Sequence, residues 1–285
     1  MIYLKKLKNK YIWERIFVER LTEPLHINLI SLFIFIFGSF RQKVAFDLVI
    51  RSQHAYSLLK CADWANSKGI NNVIVMEFGV AAGAGLMNLA KIGSRVTEIT
   101  GVSFEFYGFD TGKGMPPPID YRDHPELYQE GDFLMDQDGL KSHLPDNVNL
   151  VIGEVSETLN QVLDSLNSPI GFISMDLDYY SSTKSVLTIL GNASPELFIP
   201  YMPIYFDDLQ DDAHNKYCGE LLAIEEFNNE FPMRKIERPR FLRLRRILKN
   251  ARWVEHIFTL HVLDHNHRQK IATDRERVKL SNPYL

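Results

Sequence analysis

The sequence has little cysteine, no long apolar run, no internal repeat and no low-complexity tract. Two cysteines in 285 residues, Cys61 and Cys218, exclude a disulfide scaffold and a cysteine-rich zinc site. Thiols so far apart are expected to stay reduced, as in a cytoplasmic protein. Sixteen glycines and 13 prolines are too few for a collagen-like or proline-rich disordered chain. The apolar stretch Leu25–Phe40 runs for sixteen residues without a charge. A spanning helix needs about 20 apolar residues, so none is expected. A signal peptide is not expected either, because Glu14 and Glu19 come before the apolar part and no small-residue cleavage site follows it.

What is present is enough apolar material for a substantial core: 45% hydrophobic residues, 24% charged and 12% aromatic. The net charge of −4 hides a segregation. Residues 1–104 carry 13 basic and 7 acidic side chains, residues 105–230 carry 5 and 24, and residues 231–285 carry 14 and 5. An acidic middle between basic flanks argues against a nucleic-acid partner and points to a centre that handles cations. Lys5, Lys6, Lys8 and Lys10 before the Leu25–Phe40 stretch, with Arg41 and Lys43 after it, fit contact with an anionic membrane surface on the inner face. The favoured alternative is a helix buried on the main domain or in a homo-oligomer.

From Gln53 the apolar positions fall at helical spacing until Gly69. Short apolar runs at 72–78, 104–109, 149–152, 170–175 and 203–206 read as strands. Helices are expected near 86–92, 155–166, 181–191 and 217–229. This alternation predicts an α/β fold with a mostly parallel sheet, helices on both faces and ligands at the carboxyl ends of the strands. Residues 1–50 form a helical extension, 51–270 the catalytic domain and 271–285 a tail. The polar segment 111–147, with its Gly112, Gly114 and Pro116–Pro118, is expected to be a lid over the cleft.

Chemistry gathers at the strand ends. Glu77-Phe-Gly79-Val-Ala-Ala-Gly83-Ala-Gly85 follows the first strand and opens a helix, a turn that lets a ligand approach the backbone or simply allows tight packing. Its spacing is not the dinucleotide pattern. Asp110 stands where a carboxylate commonly takes a ribose diol, or where a turn aspartate sits. Asp176-Leu177-Asp178 after one strand and Asp207-Asp208 after the next bring four carboxylates together, which is costly unless a cation neutralises them. Hard oxygen ligands imply Mg²⁺, Ca²⁺ or Mn²⁺. A histidine metal site at His261, His265 and His267 is less expected than a structural role. The stretch 234–252, with nine Lys/Arg and one Glu, reads as a solvated basic face or an electropositive rim.

Glu77-x-Gly79-x-x-x-Gly83, Gly108-Phe109-Asp110, Asp176-Leu177-Asp178-Tyr179-x-Ser-x-Thr183 and Phe206-Asp207-Asp208 together resemble class I S-adenosylmethionine-dependent methyltransferases. Within them the chain is similar, over roughly residues 50–230, to the macrocin O-methyltransferase family, which methylates sugar hydroxyls with Mg²⁺. The resemblance implies a Rossmann-like methyltransferase fold, with Asp176, Asp207 and Asp208 as metal ligands and Asp178 as general base. It implies that Glu77, Gly79 and Gly83 hold the methionine part of S-adenosylmethionine, that Asp110 binds its ribose and that Gly153-Glu154 lies near its adenine. The acceptor is then a small molecule or glycan with a vicinal diol. Two other readings compete: a metal-dependent glycosyltransferase using Asp176-Leu177-Asp178, and a non-catalytic methyltransferase-like adaptor.

Overall fold

Each apolar β-branched run forms a strand with its carboxyl end level with those of its neighbours. The computed structural model describes residues 15–210, 212–270, 276 and 278–282. Strands β1 (Asn72–Phe78), β2 (Ser103–Asp110), β3 (Val148–Ile152), β4 (Ile170–Met175), β5 (Tyr201–Phe206), β6 (Arg234–Glu237) and β7 (Ile257–Val262) make one sheet in the order β3-β2-β1-β4-β5-β7-β6. β1 to β5 are parallel and β7 is reversed between β5 and β6. This order, with its single reversed strand near one edge, is the Rossmann-like methyltransferase arrangement expected from the sequence. The register pairs Phe78 with both Phe109 and Met175, and Met175 with Phe206. Residues one step beyond the strand ends therefore project together beside the β1/β4 switch point.

Two helical layers cover the sheet. α3 (Ser52–Ser67) packs on α4 (Ala84–Thr100), and α7 (Tyr180–Asn192) packs between α6 (Val155–Ser165) and α8 (Gly219–Glu230). Right-handed crossovers set the two groups on opposite faces. The short helix α5 (Gln137–Lys141) lies in the segment after β2. β4 is buried throughout, and Phe78, Phe106, Phe172, Phe198 and Phe206 fill the core.

The N-terminal segment departs from expectation. α1 (Leu25–Phe37) is a helix, and α2 (Phe40–Ala45) follows with a Ser39–Gln42 capping box. Within α1 only Ser31 and Ile34 are buried, so it is not a helix docked into the main domain. Lys5, Lys6, Lys8 and Lys10 lie outside the described residues, as does most of the 271–285 tail.

The basic stretch is no uniform solvated face. Arg234 is buried against Asp264 and the Ala193 carbonyl. Arg246 is buried against Asp47 (2.8 Å) and the Val44 carbonyl (2.7 Å), so it fastens the basic segment to the end of α2. β7 ends at Val262, so His265 lies beyond the strand. It caps the short helix Asn266–Gln269 by accepting from the His267 N–H and stacks on the His267 ring, a structural role.

Candidate active site

A cleft of about 550 Å³ opens at the carboxyl ends of β1, β2, β4 and β5. Its walls include Glu77, Gly79, Asp110, Gly153, Glu154, Asp176, Asp178, Asp207 and Asp208, so nine of the ten site residues expected from sequence meet in one place. Gly83 is the exception. It caps α4 with a left-handed backbone and packs under Leu140 rather than lining the cleft, whereas Gly85 does line it.

The turn after β1 is built around close approach. Gly79 has φ +82°, and a Cβ there would stand 1.8 Å from the Asp176 carbonyl oxygen, so only glycine lets β1 and β4 splay this narrowly. A Cβ on Gly85 would meet a Glu77 carboxylate oxygen at 2.0 Å. Asp110 organises the same turn: Oδ2 accepts from the Val80 and Ala81 N–H groups, both at 2.9 Å, and Oδ1 accepts from Gly112 at 2.7 Å. The turn-aspartate role is therefore real, and only the remaining lone pairs of Asp110 are left for a ribose hydroxyl.

One carboxylate oxygen each from Asp176, Asp207 and Asp208 lies within 4.8 Å of the others. The backbone fixes them: Asp176 N–H donates to Phe78 O (2.9 Å) and Asp207 N–H to Met175 O (3.0 Å). The Tyr205 hydroxyl donates to Asp207, and the Asp178 N–H donates to Asp208 Oδ2 at 3.2 Å. Burial, reinforced by the neighbouring carboxylates, pushes Asp176 up to about 8 and Asp208 up to about 9. Burial pushes Glu77 up to about 8, with Asp176 adding to the shift and Arg51 opposing it. Asp178 is raised by burial, while a hydrogen bond from Tyr128 opposes the shift. Three oxygen donors amid further buried acids fit a hard divalent cation, which would let them ionise together.

Several contributors escaped the sequence reading. Glu220 on α8 is fully buried; it accepts the Asp208 N–H at 3.1 Å, and its other oxygen has no hydrogen-bond partner among the described residues. Its signal was only an acid twelve residues after Asp208, on a helix that read as amphipathic. Tyr128 reaches Asp178 from the 111–147 segment. Arg51 is the single cation lining the cleft among the described residues, held in a left-handed backbone (φ +53°) just before α3. Asp123 pins the 111–147 segment: it accepts from the Ser181 N–H (2.8 Å), the Ser181 hydroxyl (2.9 Å) and the Ile119 N–H (3.0 Å). That segment supplies Met115, Pro116, Tyr128 and Phe133 to the cleft wall.

No protein-family model and no curated protein matches the chain. Among solved structures it is similar to CalS11, a calicheamicin methyltransferase, at 23% identity over 70% of this chain and 82% of that one, with a TM-score of 0.47. A second CalS11 structure, of the apo TDP-rhamnose 3'-O-methyltransferase, is 21% identical over 70% and 83%, with a TM-score of 0.36. An O-methyltransferase from Bacillus cereus in complex with SAH is 14% identical over 79% and 86%, with a TM-score of 0.36.

Proposed function

We propose that the chain is an S-adenosylmethionine-dependent, divalent-metal-dependent O-methyltransferase that acts on a vicinal-diol hydroxyl of a sugar or glycan. The observation that carries this reading is the Asp176, Asp207 and Asp208 cluster opening into the same cleft as the glycine turn and Glu77. Asp176, Asp207 and Asp208 would hold the ion. Glu77 would take the cofactor's ammonium, Arg51 its carboxylate, Asp110 its ribose, and Gly153-Glu154 would lie along its adenine. When bound, the ion supplies a Lewis acid for the acceptor hydroxyl and the cofactor supplies a methyl group on a sulfonium.

The remaining work falls to side chains of this chain. Asp178 would receive the hydroxyl proton, a reading supported by the burial that raises its basicity. Tyr128 holds the Asp178 carboxylate in place, while Glu220 holds the Asp208 backbone. Met115, Pro116 and Phe133 cover the cleft and keep water from competing with the acceptor.

The test is calorimetry and methyl transfer from labelled S-adenosylmethionine to a panel of nucleotide sugars and catechols. Binding of S-adenosylhomocysteine and transfer abolished by EDTA are expected. Asp178→Asn should cut turnover by about 10²–10⁴-fold with the cofactor still bound. Binding of a nucleotide sugar without S-adenosylhomocysteine would move the assignment to a glycosyltransferase, and full activity of Asp178→Asn would remove its role as base.

A further inference from the structure

α1 is apolar around most of its circumference, and little of it is covered. Leu29, Leu32, Phe33, Phe35, Ile36 and Phe37 are between 59% and 71% exposed. At about 100° per residue, these side chains with Leu25 and Ile30 sweep an arc of roughly 220°. A partner helix covers a narrower stripe along one side, whereas a lipid surface can wrap an arc of this width.

The basic C-terminal segment is tied to the roots of this helix. The Asn250 N–H donates to Glu23 at 2.8 Å and the Arg252 N–H to Glu19 at 3.2 Å, just before α1. Arg246 holds the Val44 and Ala45 carbonyls just after it. Glu19 and Glu23 are themselves buried under the segment, so they do not present acid to the outside. Arg243, Arg245, Lys249 and Arg252 are exposed along it, together with Phe241 and Leu244, each 67% exposed. The two appendages of the sequence are thus joined at the foot of α1, the helix bare and apolar and the strap carrying exposed cations.

We propose that α1 and the strap 241–252 form a peripheral docking surface for an anionic lipid bilayer. The helix lies in the interface and the strap cations sit over the headgroups. Thirteen residues at 1.5 Å each give roughly 20 Å, against a hydrocarbon core of about 30 Å, so α1 rests in one leaflet. Among the described residues no helix is long and apolar enough to cross a membrane. Apolar insertion and headgroup attraction supply the two signals that stable peripheral binding requires.

Flotation of the full chain with phosphatidylcholine vesicles, with and without phosphatidylglycerol, tests this. Binding to the anionic vesicles, weakened by salt and about tenfold lower without phosphatidylglycerol, is expected. Phe33→Ser with Ile36→Ser should lower it by tenfold or more, and Arg245→Glu with Lys249→Glu should remove its salt dependence. Should the serine variant fail to fold by circular dichroism, Phe33→Trp replaces it, with a blue-shifted emission on adding anionic vesicles as the expected result. No flotation, flotation unchanged by the α1 variant, or no emission shift overturns the proposal. A concentration-dependent dimer mass lost in the α1 variant, without flotation, assigns the helix to a second copy of the chain and overturns it as well.

Discussion

Arg51 is one residue whose backbone and side chain point to the same use. A non-glycine residue at φ +53° costs on the order of 1 kcal/mol, and such strain persists where the surroundings hold it. Here it delivers a guanidinium to the cleft beside Glu77 and Asp176, whose ionisation it favours. Under the proposed function, the zwitterionic amino-acid end of the cofactor needs one partner of each sign, and Glu77 with Arg51 would provide that pair. Arg51→Gln should therefore weaken S-adenosylhomocysteine binding by about 10–100-fold, the range of a hydrogen bond to a charged group. Binding of 5'-methylthioadenosine, which lacks the carboxylate, should stay unchanged. Equal weakening of both ligands in calorimetry would mean that Arg51 only shapes the α3 start. The sequence could not single out this residue, because an arginine before a helix carries no mark of its backbone angle. Gly79 was legible for the opposite reason: a glycine straight after a buried strand already signals a close approach, here to the Asp176 carbonyl.

At the scale of elements, the 111–147 segment lines the cleft and is fastened at its middle. Asp123 is 1% exposed and gathers three hydrogen bonds, two from Ser181 in the first turn of α7, where a carboxylate also meets the positive end of the helix. Asp123→Ala leaves the part-buried Ser181 and Ile119 N–H groups without this acceptor, a cost of about 1–3 kcal/mol. The expected result is proteolytic cleavage within 111–147 at rates at least tenfold higher, with the sheet core still protected. Cleavage unchanged from the parent protein would remove Asp123 as the anchor and turn attention to His124, whose ring lies tilted against His214. β1 to β5 were legible because each is a short apolar run ending in a polar turn, whereas β6, a charged Arg-Lys-Ile-Glu run, and β7 were not among the expected strands. The side-by-side placement of Asp176 and Asp207 followed from their equal position one residue past paired strand ends. The anchors were not legible. Asp123 reads as one more acid in a polar loop, and Arg246 finds Asp47 across 199 positions of sequence. Nor could the exposure of α1 be read from its composition, since an apolar run looks the same buried or bare.

Over the whole molecule, the acidic middle is a store of unfavourable charge that folding concentrates at one point. Residues 105–230 carry 24 acidic and 5 basic side chains, and that span supplies Asp176, Asp178, Asp207, Asp208 and Glu220. Glu77 joins them from β1, with Arg51 the single cation lining the cleft among the described residues. Burial and mutual repulsion lift Glu77 and Asp176 to about 8 and Asp208 to about 9, and they raise Glu220 as well. In the unfolded chain these carboxyls titrate near 4. Between about pH 4 and pH 9 the metal-free folded state therefore holds more protons than the unfolded one, and its stability falls as pH rises. The stabilising contribution of these groups is complete below the unfolded value and lost as pH passes through the folded values. A divalent ion reverses the balance, because it binds the ionised carboxylates and displaces their protons, so its affinity grows with pH. Thermal melts should show a midpoint that declines from about pH 5 to about pH 8.5 in EDTA. Excess Mg²⁺ or Mn²⁺ should raise that midpoint more at the upper pH than at the lower, by the linkage between binding and stability. Asp208→Asn should flatten both trends, since it removes one of the most strongly raised carboxyls and one ligand. A metal-free midpoint that rises with pH, or an ion effect equal at both ends, would mean that these acids are not held as a coupled cluster and that the cation requirement arises elsewhere.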